Sequence, residues 1–162
     1  MTDVALVWNA DAFAGDLLLQ DGALVSDDGL RTAILISLFS DARAPDGAEL
    51  PEDGSDRRGW WGDEFVAAQF ADRDSAIGST LWLLRRAKIM PATLQRAREA
   101  AYAALAWLIR DGIASAVSVD AEAHGGSGGQ RLALGVTLDR PQGPGRQRWD
   151  FTWNASTGEI TA

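Results

Sequence analysis

At Gly112 the spacing of apolar residues changes from three and four to two, and that change sets the fold class. Before it, Leu94, Ala97, Ala101, Leu105 and Leu108 recur at helical steps, so they share one face of a helix that opens at Pro91 and stops at Gly112. Proline suits a first turn because its missing N–H would have no partner there, and glycine accepts the left-handed conformation that closes many helices. After Gly112 three runs alternate: Val117 and Val119; Leu132, Leu134, Val136 and Leu138; Trp149, Phe151 and Trp153. Successive side chains on a strand point to opposite sides, so each run predicts a strand with one apolar face. The connectors at 125–129 and 141–145 are short and rich in glycine and proline, which predicts antiparallel neighbours in a three-stranded meander. The expected class is α+β, with helices packed on a small antiparallel sheet.

Upstream, Val4, Leu6 and Trp8, then Leu17 and Leu19, alternate between Asp and Gly punctuation, which predicts short strands or a hairpin over 1–26. Asp27 or Asp28 can accept from the free N–H groups of a helix start, and Leu30, Ile34, Leu35 and Leu38 then follow helical spacing to about residue 40. Residues 41–59 carry Pro45, Pro51, Gly47, Gly54 and Gly59 and read as an exposed loop. The next stretch, Gly59-Trp60-Trp61-Gly62-Asp63-Glu64-Phe65, is aromatic enough to predict that it folds back over the helices with Trp60 or Trp61 largely buried. Ser79 is placed to cap a short helix holding Leu81, Trp82 and Leu84. One domain over 1–162 is expected: strands over 1–26, helices over 28–112 with a loop at 41–65, and the meander over 113–162.

The charge balance narrows the partners. Twenty-three acidic residues against 15 basic ones leave a net charge of −8, which opposes non-specific attraction to nucleic acid or anionic membrane. No apolar run reaches the roughly 18 residues needed to span a bilayer, and the start of the chain lacks the pattern of a secretory signal, so synthesis in the cytoplasm is expected. Without cysteine, thiolate catalysis, disulfides and Cys-type zinc sites are excluded. Seven tryptophans against one tyrosine is the oddest feature, and large rings concentrate in cores and protein interfaces.

A search for chemistry finds little. His124, the single histidine, abuts the glycine connector and lacks partners that would fix its geometry. Gly-x-Ser-x-Gly is absent, and the 125–129 connector lacks the Gly-Lys-Ser/Thr ending of a phosphate loop. Asp63 and Glu64 beside Trp60 and Trp61 give an alternative reading, a glycan-binding or glycan-cleaving protein, since glycosidases use paired acids near the sugar. Adjacent residues rarely share the required geometry, and the bland reading has these carboxylates solvated or paired with Arg57 and Arg58. Arg85, Arg86 and Lys88 read as a solvated helix face, and Trp82, Trp107, Trp149 and Trp153 read as core. No catalytic residue, cofactor or metal is expected.

Five stretches together resemble a known family: 28–41 (Asp-Gly-Leu-Arg-Thr-Ala-Ile-Leu-Ile-Ser-Leu-Phe-Ser-Asp), 56–63 (Asp-Arg-Arg-Gly-Trp-Trp-Gly-Asp), 77–88, 104–112 and 148–153 (Arg-Trp-Asp-Phe-Thr-Trp). They look like the Mu-like phage and prophage baseplate family named after product 46 of phage Mu. The resemblance implies a relative of the wedge proteins that initiate the sheath of contractile tails, six copies surrounding the tail tube and contacting other wedge subunits and the sheath protein. It implies a place in the virion tail baseplate and work done by surfaces. The Glu-Pro-Arg signature that such relatives often carry before the sheet is matched in Leu108–Ile113 only by Arg110. On this reading the candidate interaction residues are Arg57, Arg58, Trp60, Trp61 and Arg110, joined by Arg148, Asp150 and Thr152 on the outward side of the last strand. That strand, 147–153, is predicted to lie at a sheet edge because no strand-like segment follows Trp153.

Overall fold

The computed structural model describes residues 3–9, 14–27, 30–63, 65, 76–126, 129–142, 145–154 and 160–161. Its N-terminal part is a set of short antiparallel ladders: β1 (Asp3–Val4) with β6 (Ser26–Asp27), β2 (Leu6–Asn9) with β3 (Ala14–Leu17), and β4 (Leu19–Gln20) with β5 (Ala23–Leu24). Bonds from Ala5 N–H to Val25 O, 2.8 Å, and from Val25 N–H to Leu18 O, 2.9 Å, stitch the ladders together where the strands break. Asp21 and Gly22, at φ 51° and 78°, join β4 to β5 as a two-residue turn with both residues left-handed, the conformation that Asp-Gly favours.

Thr32 fastens this part to the first helix, α1 (Arg31–Phe39). Its hydroxyl accepts from Leu6 N–H and donates to Val4 O, both at 3.1 Å, while its own N–H donates to Asp27 Oδ2 at 2.8 Å. Asp27 therefore supplies the carboxylate expected at the helix start, satisfying one of the four N–H groups a helix leaves free. Helix α1 buries the predicted stripe of Ile34, Leu35 and Leu38, with Leu30 beside it.

Ser79 caps a 3-10 turn, Thr80–Leu84, by accepting from Leu81 N–H at 3.2 Å, and its hydroxyl donates to Leu38 O at 2.6 Å. The chain at 78–79 runs close beside 40–42, bonded through Ser79 N–H to Ser40 O and Ala42 N–H to Ser79 O. Gly78 is held there for two reasons: its φ is +102°, and a Cβ would lie 2.8 Å from the Ser40 carbonyl carbon.

Helix α2 spans Pro91–Leu105, and α3 spans Trp107–Arg110. The sequence predicts one helix to Gly112; the structure interrupts it at Ala106, where the N–H bonds to Ala103 O at 3.3 Å and not to the residue four back. Gly112, at φ +70°, closes the second piece as expected, and Ile113 N–H returns to Leu108 O at 2.9 Å. The predicted face is correct: Ala97, Ala101, Leu105 and Leu108 are all 0% exposed, and Leu94 packs at its margin.

Strands β7 (Ala116–Gly126), β8 (Gly129–Asp139) and β9 (Arg146–Trp153) form the predicted meander, and α2 lies on β7. The inner face carries Val117, Ala121, Leu132, Leu134, Val136, Leu138, Phe151 and Trp153 into one core with the helices. Burying each larger aliphatic or aromatic side chain stabilises the fold by about 1.5–3 kcal/mol. A fourth strand, β10 (Ile160–Thr161), corrects the expectation that nothing follows β9: it pairs Ile160 with Trp153 and Thr161 with Thr152, giving the order β10-β9-β8-β7. Two residues were too short a run to show alternation in the sequence.

Candidate functional site

Three surfaces gather most of the candidate residues. The first is the segment following the loop. Ala44 N–H donates to Arg57 O at 2.9 Å, Arg57 Nη1 donates to Pro45 O at 2.6 Å, and Arg58 N–H donates to Asp56 Oδ1 at 2.8 Å. Arg58 adopts φ +53°, which costs about 1–2 kcal/mol for a residue with a side chain. Its guanidinium pairs with Asp41 and lies 4.5 Å from the centre of the Trp82 ring, contacts that offset the strain. Arg58 thus turns inward, with the ion pair part-buried.

Beyond it the chain turns outward. Trp60 is 39% exposed, Trp61 76% and Phe65 66%, which corrects the expectation that one tryptophan is largely buried. The three rings pack on one another, with centroids 5.4 Å apart for Trp60 and Trp61 and 6.1 Å for Trp61 and Phe65. Gly62 is buried beneath them: a Cβ there would sit 2.6 Å from Trp60 Cζ2, so the absence of a side chain lets the ring lie flat on the backbone. The rings cover backbone and each other and stay outside the core. Asp63 Oδ1 accepts from Ile77 N–H at 3.2 Å, tying the segment to the chain before the 3-10 turn. That carboxylate is committed to a structural bond; its neighbour Glu64 lies outside the described residues.

The second surface is the outer face of the sheet. Register puts Asp120, Gly135 and Asp150 in one row across β7, β8 and β9. Arg148 lies over this row, with Nη1 3.1 Å from Asp120 Oδ2 and Nε 2.9 Å from Asp150 Oδ1. The hydrogen bond to Asp120, then that to Asp150, raises the guanidinium further above its ordinary value, so the charge is permanent. Gly135 makes the crossing possible, since a Cβ there would stand 2.8 Å from Arg148 Cζ. All three charged side chains remain at least half exposed.

The third surface is the edge of β9. Arg140 N–H donates to Gly145 O at 2.8 Å across the connector, and bonded pairs in an antiparallel ladder recur at every second position. The N–H groups of Gln147, Trp149 and Phe151 therefore face β8, and those of Arg148 and Asp150 face away. Strand β10 covers the edge only at Thr152 and Trp153, so Thr152 is already paired, while among the described residues no strand pairs with 146–151 on that side. The outer edge of β7 is also unpaired among the described residues.

Arg110 stands apart from these surfaces, half exposed at the end of α3 with Nε 3.0 Å from Asp111 Oδ1. His124 is exposed on β7 opposite Arg131. Of the expected solvated basic face, Arg86 and Lys88 are exposed, but Arg85 is half-buried against a cavity. Trp82 and Trp153 are core, and Trp107 and Trp149 pack against it. No group of His, Asp or Glu suited to a metal ion occurs among the described residues.

What the described residues present to the outside is an aromatic cluster, a charged sheet face and a strand edge, the equipment of a domain that works by contact with other chains. Comparison with known proteins agrees. The family model described as phage protein GP46 matches residues 30–145. The chain is 46% identical over 145 residues to baseplate protein gp46 of Escherichia phage Mu, covering 88% of this chain and 90% of that protein. It is 40% identical over 119 residues to Mu-like prophage FluMu protein gp46 of Haemophilus influenzae, covering 74% and 75%. No solved structure gives a significant match. The chain belongs to the GP46 family of phage proteins, as the motif stretches predict.

Proposed function

We propose that this chain is a structural subunit of a phage tail baseplate and, more narrowly, a wedge component of a contractile tail that helps nucleate the sheath. The observation that carries the baseplate reading is the 46% identity, over nine-tenths of its length, to a protein named for the baseplate of phage Mu. The narrower reading is supported by the edge of β9, whose outward N–H groups at Arg148 and Asp150 suit strand addition by a partner, with backbone bonds giving affinity. On this proposal the partners are the tail sheath protein and other wedge subunits, with six copies around the tube. Arg148 and Asp150 flank the docking edge, and Thr152 bounds it where β10 begins. Trp60 and Trp61 form a second contact held in place by Arg57 and Arg58, and Arg110 faces a neighbouring wedge subunit. The protein is made in the host cytoplasm and ends in the virion tail.

The test is a phage lacking the gene, complemented with Asp150→Pro and scored by electron microscopy for sheathed tails. Proline removes one outward N–H and leaves Trp149, Phe151 and Trp153 on the core face. The expected result is a folded protein, by circular dichroism, with sheathed tails reduced at least tenfold. Normal sheath assembly by the folded variant would move the docking surface to the edge of β7 or to the aromatic cluster.

A further inference from the structure

A cavity of about 260 Å³ opens where α1, the N-terminal strands, the 3-10 turn and the end of the sheet meet. Its wall is mainly apolar, built from Leu6, Leu35, Phe39, Leu81, Trp82 and Trp153. Two charged residues join it, Asp41 and Arg85. Asp41 is already answered by Arg58. Arg85 is different: its Nε is fully enclosed without a hydrogen-bond partner, and no ion pair to its side chain exists among the described residues. Arg140 also has an enclosed, unbonded Nε, but its Nη1 reaches Gln147 Oε1 at 3.2 Å. In a chain with 23 acidic residues against 15 basic ones, an arginine beside an apolar cavity with no acidic partner among the described residues is a complement for an anion.

The dimensions restrict which anion. Pockets for small organic ligands run from about 300 to 1,000 Å³, so this one holds roughly a single large side chain. The apolar group and the negative charge must then belong to one residue. In a polypeptide only the last residue carries both an apolar side chain and a backbone carboxylate, and the two terminal nitrogens of a guanidinium whose Nε is enclosed can still take a carboxylate through parallel bonds. We infer that this cavity receives the C-terminal residue of a partner polypeptide, its apolar side chain against Leu35 and Trp153 and its carboxylate on Arg85. That the occupant is another protein chain rests on the baseplate reading; the cavity's choice of an apolar acid does not.

The test uses the isolated full chain and three acetylated peptides: Gly-Ser-Gly-Leu as free acid, the same sequence as amide, and Gly-Ser-Glu-Leu as amide. Binding is followed by amide NMR shifts of Ser40, Leu81 and Arg85 and by the indole signal of Trp82. The free acid is expected to shift these signals and to bind at least about tenfold more tightly than either amide, as hydrogen bonds to a charged group imply. Arg85→Gln should bind acid and amide alike while keeping the native melting temperature, and Arg85→Lys should restore part of the difference. Equal binding of acid and amide by the native chain, no binding of either, or equal binding of the internal-glutamate peptide would each overturn the inference. None of these outcomes touches sheath assembly, which is scored separately with Asp150→Pro.

Discussion

Leu105→Ala tests the arrangement that holds every surface in place. Leu105 is 0% exposed in the core shared by α2, α1 and the sheet, the last residue of α2 before the break at Ala106. The substitution removes three carbons, which at about 0.8 kcal/mol per buried methylene is about 2.4 kcal/mol of lost transfer energy. The cavity left behind adds about 24 cal/mol for each Å³ that the surroundings fail to fill, so the total lies between about 2.4 and 5 kcal/mol. Collapse is hard here, because the side chain is enclosed by α1 and the sheet in one packed core. An unfolding entropy of about 2.1 cal/mol/K per residue gives about 0.34 kcal/mol/K for 162 residues, so the melting temperature should fall by about 7–15 °C. The assay is thermal unfolding by circular dichroism, with exposed Gln95→Ala on the same helix as control and a change within about 0.5 kcal/mol expected for it. An unchanged melting temperature for Leu105→Ala would show that the wrong stripe of α2 has been placed inside.

Trp61→Ala should change stability by no more than about 0.5 kcal/mol, since the ring is 76% exposed, yet lower the yield of assembled tails if the aromatic cluster docks a neighbour. Gly78→Ala should lower the melting temperature strongly or prevent folding, because the added carbon meets the Ser40 carbonyl at a φ of +102°; a native-like melting curve would refute the close approach of 78–79 to 40–42. Gly135→Ala should displace the Arg148 guanidinium from Asp120, seen as a changed arginine side-chain NMR signal with the melting temperature little altered; an unmoved signal would mean that the side chain does not cross the sheet.

The parts legible in the sequence were those in which many residues repeat one requirement. Alternation over Leu132, Leu134, Val136 and Leu138, and helical steps from Leu94 to Leu108, each reflect a whole face turned inward, and both faces are where the spacing put them. The caps were legible for a different reason: Asp27, Ser79 and Gly112 each solve a local backbone problem few residue types can solve. Strand β10 was not, because a two-residue ladder is recruited by the edge of β9 and has no period of its own. The break at Ala106 was not, because alanine favours helix and only the tertiary fit of α3 decides otherwise. Arg85 was misjudged for a related reason: a basic run shows charge and leaves open which member faces a cavity.

The tryptophans show how one composition signal divides on folding. An indole N–H needs an acceptor when it leaves water. Trp82 donates to Ala42 O at 2.7 Å and Trp107 to Ser37 Oγ at 3.1 Å, so each inner ring is both packed and bonded, and each bond joins a helical element to the chain around α1. Trp60 and Trp61 donate to no acceptor among the described residues and stand in the solvent, where water serves. What links the two groups is Arg58. It stacks on inner Trp82 and holds Asp41, and two residues later the chain presents the outer pair. Gly59, at φ +103° with Arg43 Cβ 3.0 Å from where its own Cβ would be, makes the reversal between them. The Arg-Arg-Gly-Trp-Trp-Gly run therefore works as a bracket: Arg57 ties the loop to Pro45 at the surface, Arg58 clamps inward, the first glycine turns the chain, the tryptophans face out, and the second glycine seats the ring of Trp60. An exposed aromatic surface mounted on a clamped loop loses little conformational entropy when a partner covers it, which is the physical condition for rings in a loop to bind tightly.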